Sequence, residues 1–155
     1  MQGIFDKINN LIRYTHFMRY TKVNLCRIEG KSCFGCCGHH FGTRNEILES
    51  IRKNDISFAH KKTLRDFMKE NSLRDSGVCR CIVTLKDGTL GCPGHPKQCR
   101  RELRACNILY ECKTSFLFRT EWSDEEKKRF LSRIKDMDGI GYSLLMSEDK
   151  YLNSL

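Results

Sequence analysis

The chain has 155 residues, ten of them cysteine, and its 28 Lys and Arg against 19 Asp and Glu give a formal charge of +9. That length suits one domain with a modest core, and only two prolines exclude a Pro-rich linker array. No stretch approaches the roughly 18 to 20 apolar residues of a membrane span, which excludes a helical membrane protein and predicts no membrane partner.

Residues 1–20 carry Asp6, Lys7, Asn9, Asn10, Arg13, His16 and Arg19 where a signal peptide needs an apolar run, so a secretory signal is not expected. The expected location is therefore cytoplasmic, where thiols are kept for metals or catalysis instead of structural disulfides. Within the same stretch Ile4, Phe5, Ile8, Leu11, Ile12, Phe17 and Met18 fall near helical spacing, which predicts an amphipathic helix over 4–20 that packs on the core.

Four thiols follow in one short span, Cys26, Cys33, Cys36 and Cys37, separated by Gly30 and Gly35 and followed by Gly38, His39 and His40. The glycines let the backbone turn tightly enough for several side chains to converge. Cys33 and Cys36 have the Cys-x-x-Cys spacing at which a short loop places two soft, anionic donors on one metal. Adjacent side chains diverge, so Cys36 and Cys37 are expected to serve two ions, or two edges of one cluster. His39 and His40 are expected beside the ligands or in solvent.

Thr43-Arg44-Asn45-Glu46 has the form of a capping box and predicts a helix carrying Ile47, Leu48 and Ile51, ending near Asn54-Asp55. A second helical run with Phe58, Leu64, Phe67 and Met68 is expected to about residue 73, before Gly77, making a helical insert over 43–75. Residues 78–85 alternate like a strand, and Lys86-Asp87-Gly88-Thr89 offers a turn into Leu90-Gly91-Cys92, so an antiparallel hairpin is expected to bring Cys79 or Cys81 near Cys92. In a strand, Cys79 and Cys81 share one face. With Cys99 they complete the expected metal ligands: Cys33, Cys36, Cys37, Cys79, Cys81, Cys92 and Cys99, with Cys26 as a further candidate.

His95, between Pro93-Gly94 and Pro96, is the best imidazole for the site. A short basic helix is expected over 99–106 with Arg100, Arg101 and Arg104. A strand-like stretch covers 108–120, and Cys106 and Cys112, lacking ligand spacing, read as buried packing residues. Ser123-Asp124-Glu125-Glu126 is a second capping box ahead of Phe130, Leu131 and Ile134; Gly139 and Gly141 are expected to end that helix, with a last short helix over 142–152.

The run Ser32-Cys33-Phe34-Gly35-Cys36-Cys37, then Gly77-Val78-Cys79-Arg80-Cys81 through Asp87-Gly88 to Cys92, and then Pro96-Lys97-Gln98-Cys99-Arg100 resembles the zinc- or iron-chelating domain family with a CxxCxxCC-type cysteine cluster. The resemblance covers about residues 26–101. It implies a metal-chelating role and carries the family's cysteines onto Cys33, Cys36, Cys37, Cys81, Cys92 and Cys99.

The expected fold is α+β, a small cysteine-rich, metal-centred domain over 1–155: an N-terminal helix in 1–24, the cysteine core in 25–101 and a C-terminal strand and helices in 102–155. The expected function is a cytoplasmic metal-binding protein holding zinc or an iron-sulfur cluster in a structural, electron-transfer or redox-sensing role. A protein partner is compatible with this. The alternatives are a zinc-stabilised nucleic-acid module using Arg100, Arg101 and Arg104, and a metalloenzyme with an open metal position near His95 and Glu102. The spread of Lys and Arg favours a solvated surface over a nucleic-acid face, and thiolate ligation of two zinc ions would lower the charge to about +5.

Overall fold

The computed structural model describes residues 23–69, 72–95 and 111–147. The helices expected over 4–20 and 99–106, residue Cys99, and the end of the last helix beyond 147 lie outside the described residues. Those residues contain two small antiparallel hairpins and five helices, a mixed α and β architecture: β1 (Arg27–Ile28), β2 (Lys31–Ser32), α1 (Arg44–Ala59), α2 (Leu64–Met68), β3 (Val83–Thr84), β4 (Leu90–Gly91), α3 (Lys113–Thr120), α4 (Asp124–Ile134) and α5 (Gly139–Ser147). No described helix is long and apolar enough to cross a membrane.

The first hairpin was not foreseen. Glu29 and Gly30 both take positive φ, at 48° and 73°, and this two-residue turn pairs Arg27 with Ser32 and Ile28 with Lys31. The second hairpin follows the expected Asp-Gly turn, with Gly88 at φ 80° and Val83 paired with Gly91. Its strand is much shorter than the expected 78–85. Instead of continuing the strand, residues 79–82 form a turn closed by the Ile82 amide on the Cys79 carbonyl at 3.1 Å.

Asn54 explains that turn. Its side-chain amide donates to the carbonyls of Cys79 at 3.0 Å and Ile82 at 2.8 Å, and its oxygen accepts from Arg74 at 2.9 Å. Asn54 is thus a fully buried member of α1, and the expectation that Asn54-Asp55 would end the helix is corrected. Asp55 is also engaged, accepting the backbone amide and hydroxyl of Thr84 at 2.7 and 2.8 Å. The chain continues helical to Ala59 because both polar residues spend their side chains on the neighbouring hairpin rather than on their own backbone. After it, the second helical run is shorter than expected: α2 spans Leu64–Met68 behind a Thr63 cap.

Both predicted capping boxes are present, Thr43 with Glu46 on α1 and Ser123 with Glu126 on α4. Two expectations near the C-terminal end are corrected. The part of the strand-like stretch that is described from Lys113 to Thr120 is helix α3, started by Cys112 as N-cap; one aromatic, Phe118, is buried while Phe116 is exposed, which suits a helix face and not a strand. Gly139 and Gly141 do not end α4. They lie in the first turn of α5, where the Asp138 carboxylate accepts the Gly141 amide at 2.8 Å and so fixes a new helix start.

Among the described residues the interior has two apolar clusters. One gathers Phe34, Ile47, Ile51, Phe67, Val78, Ile82, Val83 and Ile140 with Cys79, Cys81 and Cys92. The other gathers Leu25, Phe118, Phe130, Ile134, Tyr142, Leu145 and Met146 with Cys33, and Cys112 packs against it.

Candidate metal centre

The cysteine loop is held from two sides. On one side, residues 37–42 run against residues 76–79: the Cys79 amide donates to the Cys37 carbonyl at 3.0 Å, the His39 amide to Gly77 at 3.2 Å and the Gly42 amide to Ser76 at 3.0 Å. Gly38 and Gly77 make this approach feasible. A Cβ on Gly38 would collide with the Gly77 carbonyl, and one on Gly77, itself at φ 78°, with the His39 carbonyl. On the other side, α5 backs the Cys33 to Cys36 turn. The Phe34 amide donates to the Ser143 hydroxyl at 3.0 Å, the Tyr142 hydroxyl donates to the Leu25 carbonyl at 2.6 Å, and a Cβ on Gly35 would stand 2.5 Å from the Ser143 carbonyl.

These contacts bring together the backbones of Cys37 and Cys79, from two cysteine sets that are far apart in sequence. Cys92 enters the same apolar cluster from the end of β4, with its sulfur 3.7 Å from that of Met68. Cys26 faces Cys33 across the first hairpin, whose pairing ends with the Cys33 amide on the Cys26 carbonyl at 2.9 Å. Cys36 is exposed, whereas Cys33, Cys79, Cys81 and Cys92 are buried and Cys26 and Cys37 are half-buried. Cys79 and Cys81 flank a turn residue instead of lining one strand face, yet they do meet, through a thiol hydrogen bond.

Backbone amides point at sulfur from Gly35 on Cys33, from Cys81 on Cys79 and from Ser115 on Cys112, each at 3.4 Å. Such donors stabilise an anionic sulfur. Burial nevertheless pushes the Cys33 thiol far above its ordinary range, with the nearby Cys36, Cys112 and Cys26 adding to the rise. Cys37 is pushed up as well, first because it donates its proton to Cys36 and then by burial. Cys79 moves the other way, to about 7, because it accepts a hydrogen bond from the Cys81 thiol, helped by the Cys81 amide.

Two features escaped the sequence reading. Cys112 packs, as expected, against the cluster that contains Cys33, but its sulfur also caps α3, a role that its spacing did not signal. Tyr142, Ser143 and Asn54 position the thiol loops, and a helix-facing pattern alone gave no signal for any of them. His39 and His40 are exposed and stack edge to face at 5.1 Å. His95 lies half-buried, its amide bonded to the Cys92 carbonyl at 3.1 Å.

The chemistry of the donors suits a thiophilic ion or cluster, and the sequence-expected ligands other than Cys99 are described. Among the described residues, no three His, Cys, Asp or Glu side chains stand at the mutual spacing of a closed metal site. The chain matches no family model, and neither the curated proteins nor the solved structures contain a significant match to it.

Proposed function

We propose that the protein is a cytoplasmic thiolate metal-binding protein, with zinc or an iron-sulfur cluster held by cysteines from both halves of the chain. The observation that carries this reading is the backbone pairing of residues 37–42 with 76–79, which sets Cys37 beside Cys79 within one cluster that also holds Cys81 and Cys92. The Cys-x-x-Cys spacing of Cys33 and Cys36 supports the same reading. The metal would be held by Cys33, Cys36, Cys37, Cys79, Cys81 and Cys92, with Cys26 and Cys99 as further donors. Bound zinc supplies a redox-silent cross-link, and an iron-sulfur cluster supplies one-electron chemistry.

The chain's own part is to bury the thiols, aim amide donors at their sulfurs and hold the two loops in register. Protons leave the thiols when the metal binds, so metal affinity is tied to pH. Elemental analysis with an absorption spectrum on protein purified without oxygen tests the reading. Iron with acid-labile sulfide and a broad visible band assigns an electron-transfer or redox-sensing role; one or two zinc per chain assigns a structural role. Protein that takes up neither metal under reducing conditions would refute it.

A further inference from the structure

We propose that Cys36 and Cys37 form a hydroperoxide-reactive pair, in which Cys36 attacks the oxidant and Cys37 resolves the product, closing a disulfide between adjacent residues. The pair needs two sulfurs and no metal, so this goes beyond the metal-binding reading and stands independently of it.

Access separates Cys36 from the other thiols. Among the described residues it is the exposed one, whereas Cys33, Cys79, Cys81 and Cys92 are buried and Cys26, Cys37 and Cys112 half-buried. An oxidant arriving from solvent therefore meets Cys36 first. Contact then selects its partner. The Cys37 thiol donates a hydrogen bond to the Cys36 sulfur, so a second thiol stands against the first before any oxidation. Cys33, the other half of the Cys-x-x-Cys spacing, is buried in the apolar cluster of Tyr142, and its sulfur takes the Gly35 amide at 3.4 Å.

The loop presents this pair on a fixed frame. Ahead of it the Phe34 amide is held by the Ser143 hydroxyl, and Gly35 lies too close to the Ser143 carbonyl to carry a β-carbon. Behind it Gly38 lies equally tight against the Gly77 carbonyl. The backbone of Cys37 makes two bonds of its own, its amide to the Phe34 carbonyl at 2.8 Å and its carbonyl from the Cys79 amide at 3.0 Å.

The chemistry runs in two steps. The Cys36 sulfur attacks a hydroperoxide: an S–O bond forms, the O–O bond breaks, and the thiol proton leaves with the displaced oxygen as water or an alcohol. Cys37 then attacks the sulfenic sulfur; the S–S bond forms, the S–O bond breaks, and the hydroxyl leaves as water with the Cys37 proton. The two thiols are oxidised by two electrons, which reduce the hydroperoxide. Consecutive Cα atoms stand about 3.8 Å apart, short of the usual disulfide range of about 4.4–6.8 Å, so the ring is strained and a thiol reopens it readily. The ring also contains the peptide between the two residues. Turning that peptide to close the ring pulls on the amide and carbonyl of Cys37, and through the carbonyl on the bond to Cys79.

The test treats the reduced full chain with hydrogen peroxide, blocks the remaining thiols with iodoacetamide and reads each cysteine by peptide mass spectrometry, with metal content measured alongside. The expected product is a peptide lighter by two hydrogens across Cys36 and Cys37, with Cys33 alkylated. It should be restored by a reductant and should form at least about tenfold faster than any oxidation of Cys79, Cys81 or Cys92. Cys37→Ser should leave the sulfenic acid at Cys36 unresolved, raising its capture by dimedone at least about tenfold over the parent chain. In the oxidised parent, hydrogen exchange at the Cys79 amide should rise at least about tenfold; an unchanged rate overturns the link to that bond. A disulfide from Cys36 to Cys33, or a Cys36 that stays open to iodoacetamide after peroxide, overturns the pair whatever metal is found. Absence of metal from a chain that forms the disulfide refutes the metal-binding reading alone. Should Cys37→Ser not fold, the mass of the oxidised parent decides the question.

Discussion

The amide of Cys79 donates to the carbonyl of Cys37 at 3.0 Å, joining two cysteine loops that the sequence holds far apart. This main-chain bond and its neighbours hold the two loops together. The contact depends on Gly38 and Gly77, which leave no room for a β-carbon on either side.

Gly77→Ala is therefore expected to be among the most damaging small substitutions. It adds strain at a positive φ to a collision with the His39 carbonyl, and a loss of about 2–4 kcal/mol is expected. Gly30→Ala supplies the contrast: its φ is also positive, but a Cβ there meets nothing within 4 Å. Chemical denaturation of both variants checks the comparison. Equal losses would show that backbone strain alone, and not the close approach, is what matters.

Asn54 holds a similar position among side chains. Replacing it with alanine takes a buried donor from the Cys79 and Ile82 carbonyls and an acceptor from Arg74, so Asn54→Ala is expected to cost about 2–4 kcal/mol. Amide hydrogen exchange should show the loss concentrated in residues 79–84. A uniform change across the chain would argue that Asn54 merely fills space.

Zinc should stabilise the chain and chelation should reverse it. At a free concentration a thousand times the dissociation constant, linkage predicts a gain of about 4 kcal/mol. Because Cys33 and Cys37 are held protonated in the metal-free state, zinc binding must displace their protons, and affinity is expected to rise with pH through neutrality. Calorimetric titration in buffers of different ionisation enthalpy counts the released protons. Cys36→Ser and Cys37→Ser should each lower metal content and melting temperature; unchanged values in both would remove the basis for the metal reading.

The pH dependence of folding has a second source. Arg44 at the start of α1 pairs with Asp138 at the start of α5, and its hydrogen bond holds the Asp138 carboxyl below its ordinary value of 3.8. A depressed carboxyl contributes stability that is complete above the unfolded value and is lost as the pH falls through the folded one. The metal-free protein should therefore lose stability on acidification below about pH 4, and Asp138→Asn should flatten that part of the curve. Urea titrations at several pH values would show a profile identical to the parent if the pair contributes nothing.

What the sequence disclosed followed from how local each signal is. The capping boxes at Thr43 and Ser123 and the Asp87-Gly88 turn are short motifs whose partners lie within a few residues, and each appears where expected. Asn54 misled for the opposite reason: asparagine within a helix reads as a stop unless its distant partners are known. Phe116 and Phe118 gave a strand-like appearance that the Cys112 cap overrides. Cys112 itself is joined to Cys33 only by tertiary packing, so no spacing rule could have found it. The Cys33 to Cys37 cluster stood out because its glycines and thiols are contiguous.

The bond between the Gly42 amide and the Ser76 carbonyl, 3.0 Å long, makes the whole helical segment between them an excursion whose entrance and exit coincide. Chain length there can change at small entropic cost, since closing a longer loop grows only logarithmically more expensive. The exposed Lys62, ahead of the Thr63 cap of α2, marks the place for such an addition. A reporter domain spliced in at that tip would leave the thiol loops in register, so the scaffold accepts a new domain without disturbing its cysteines.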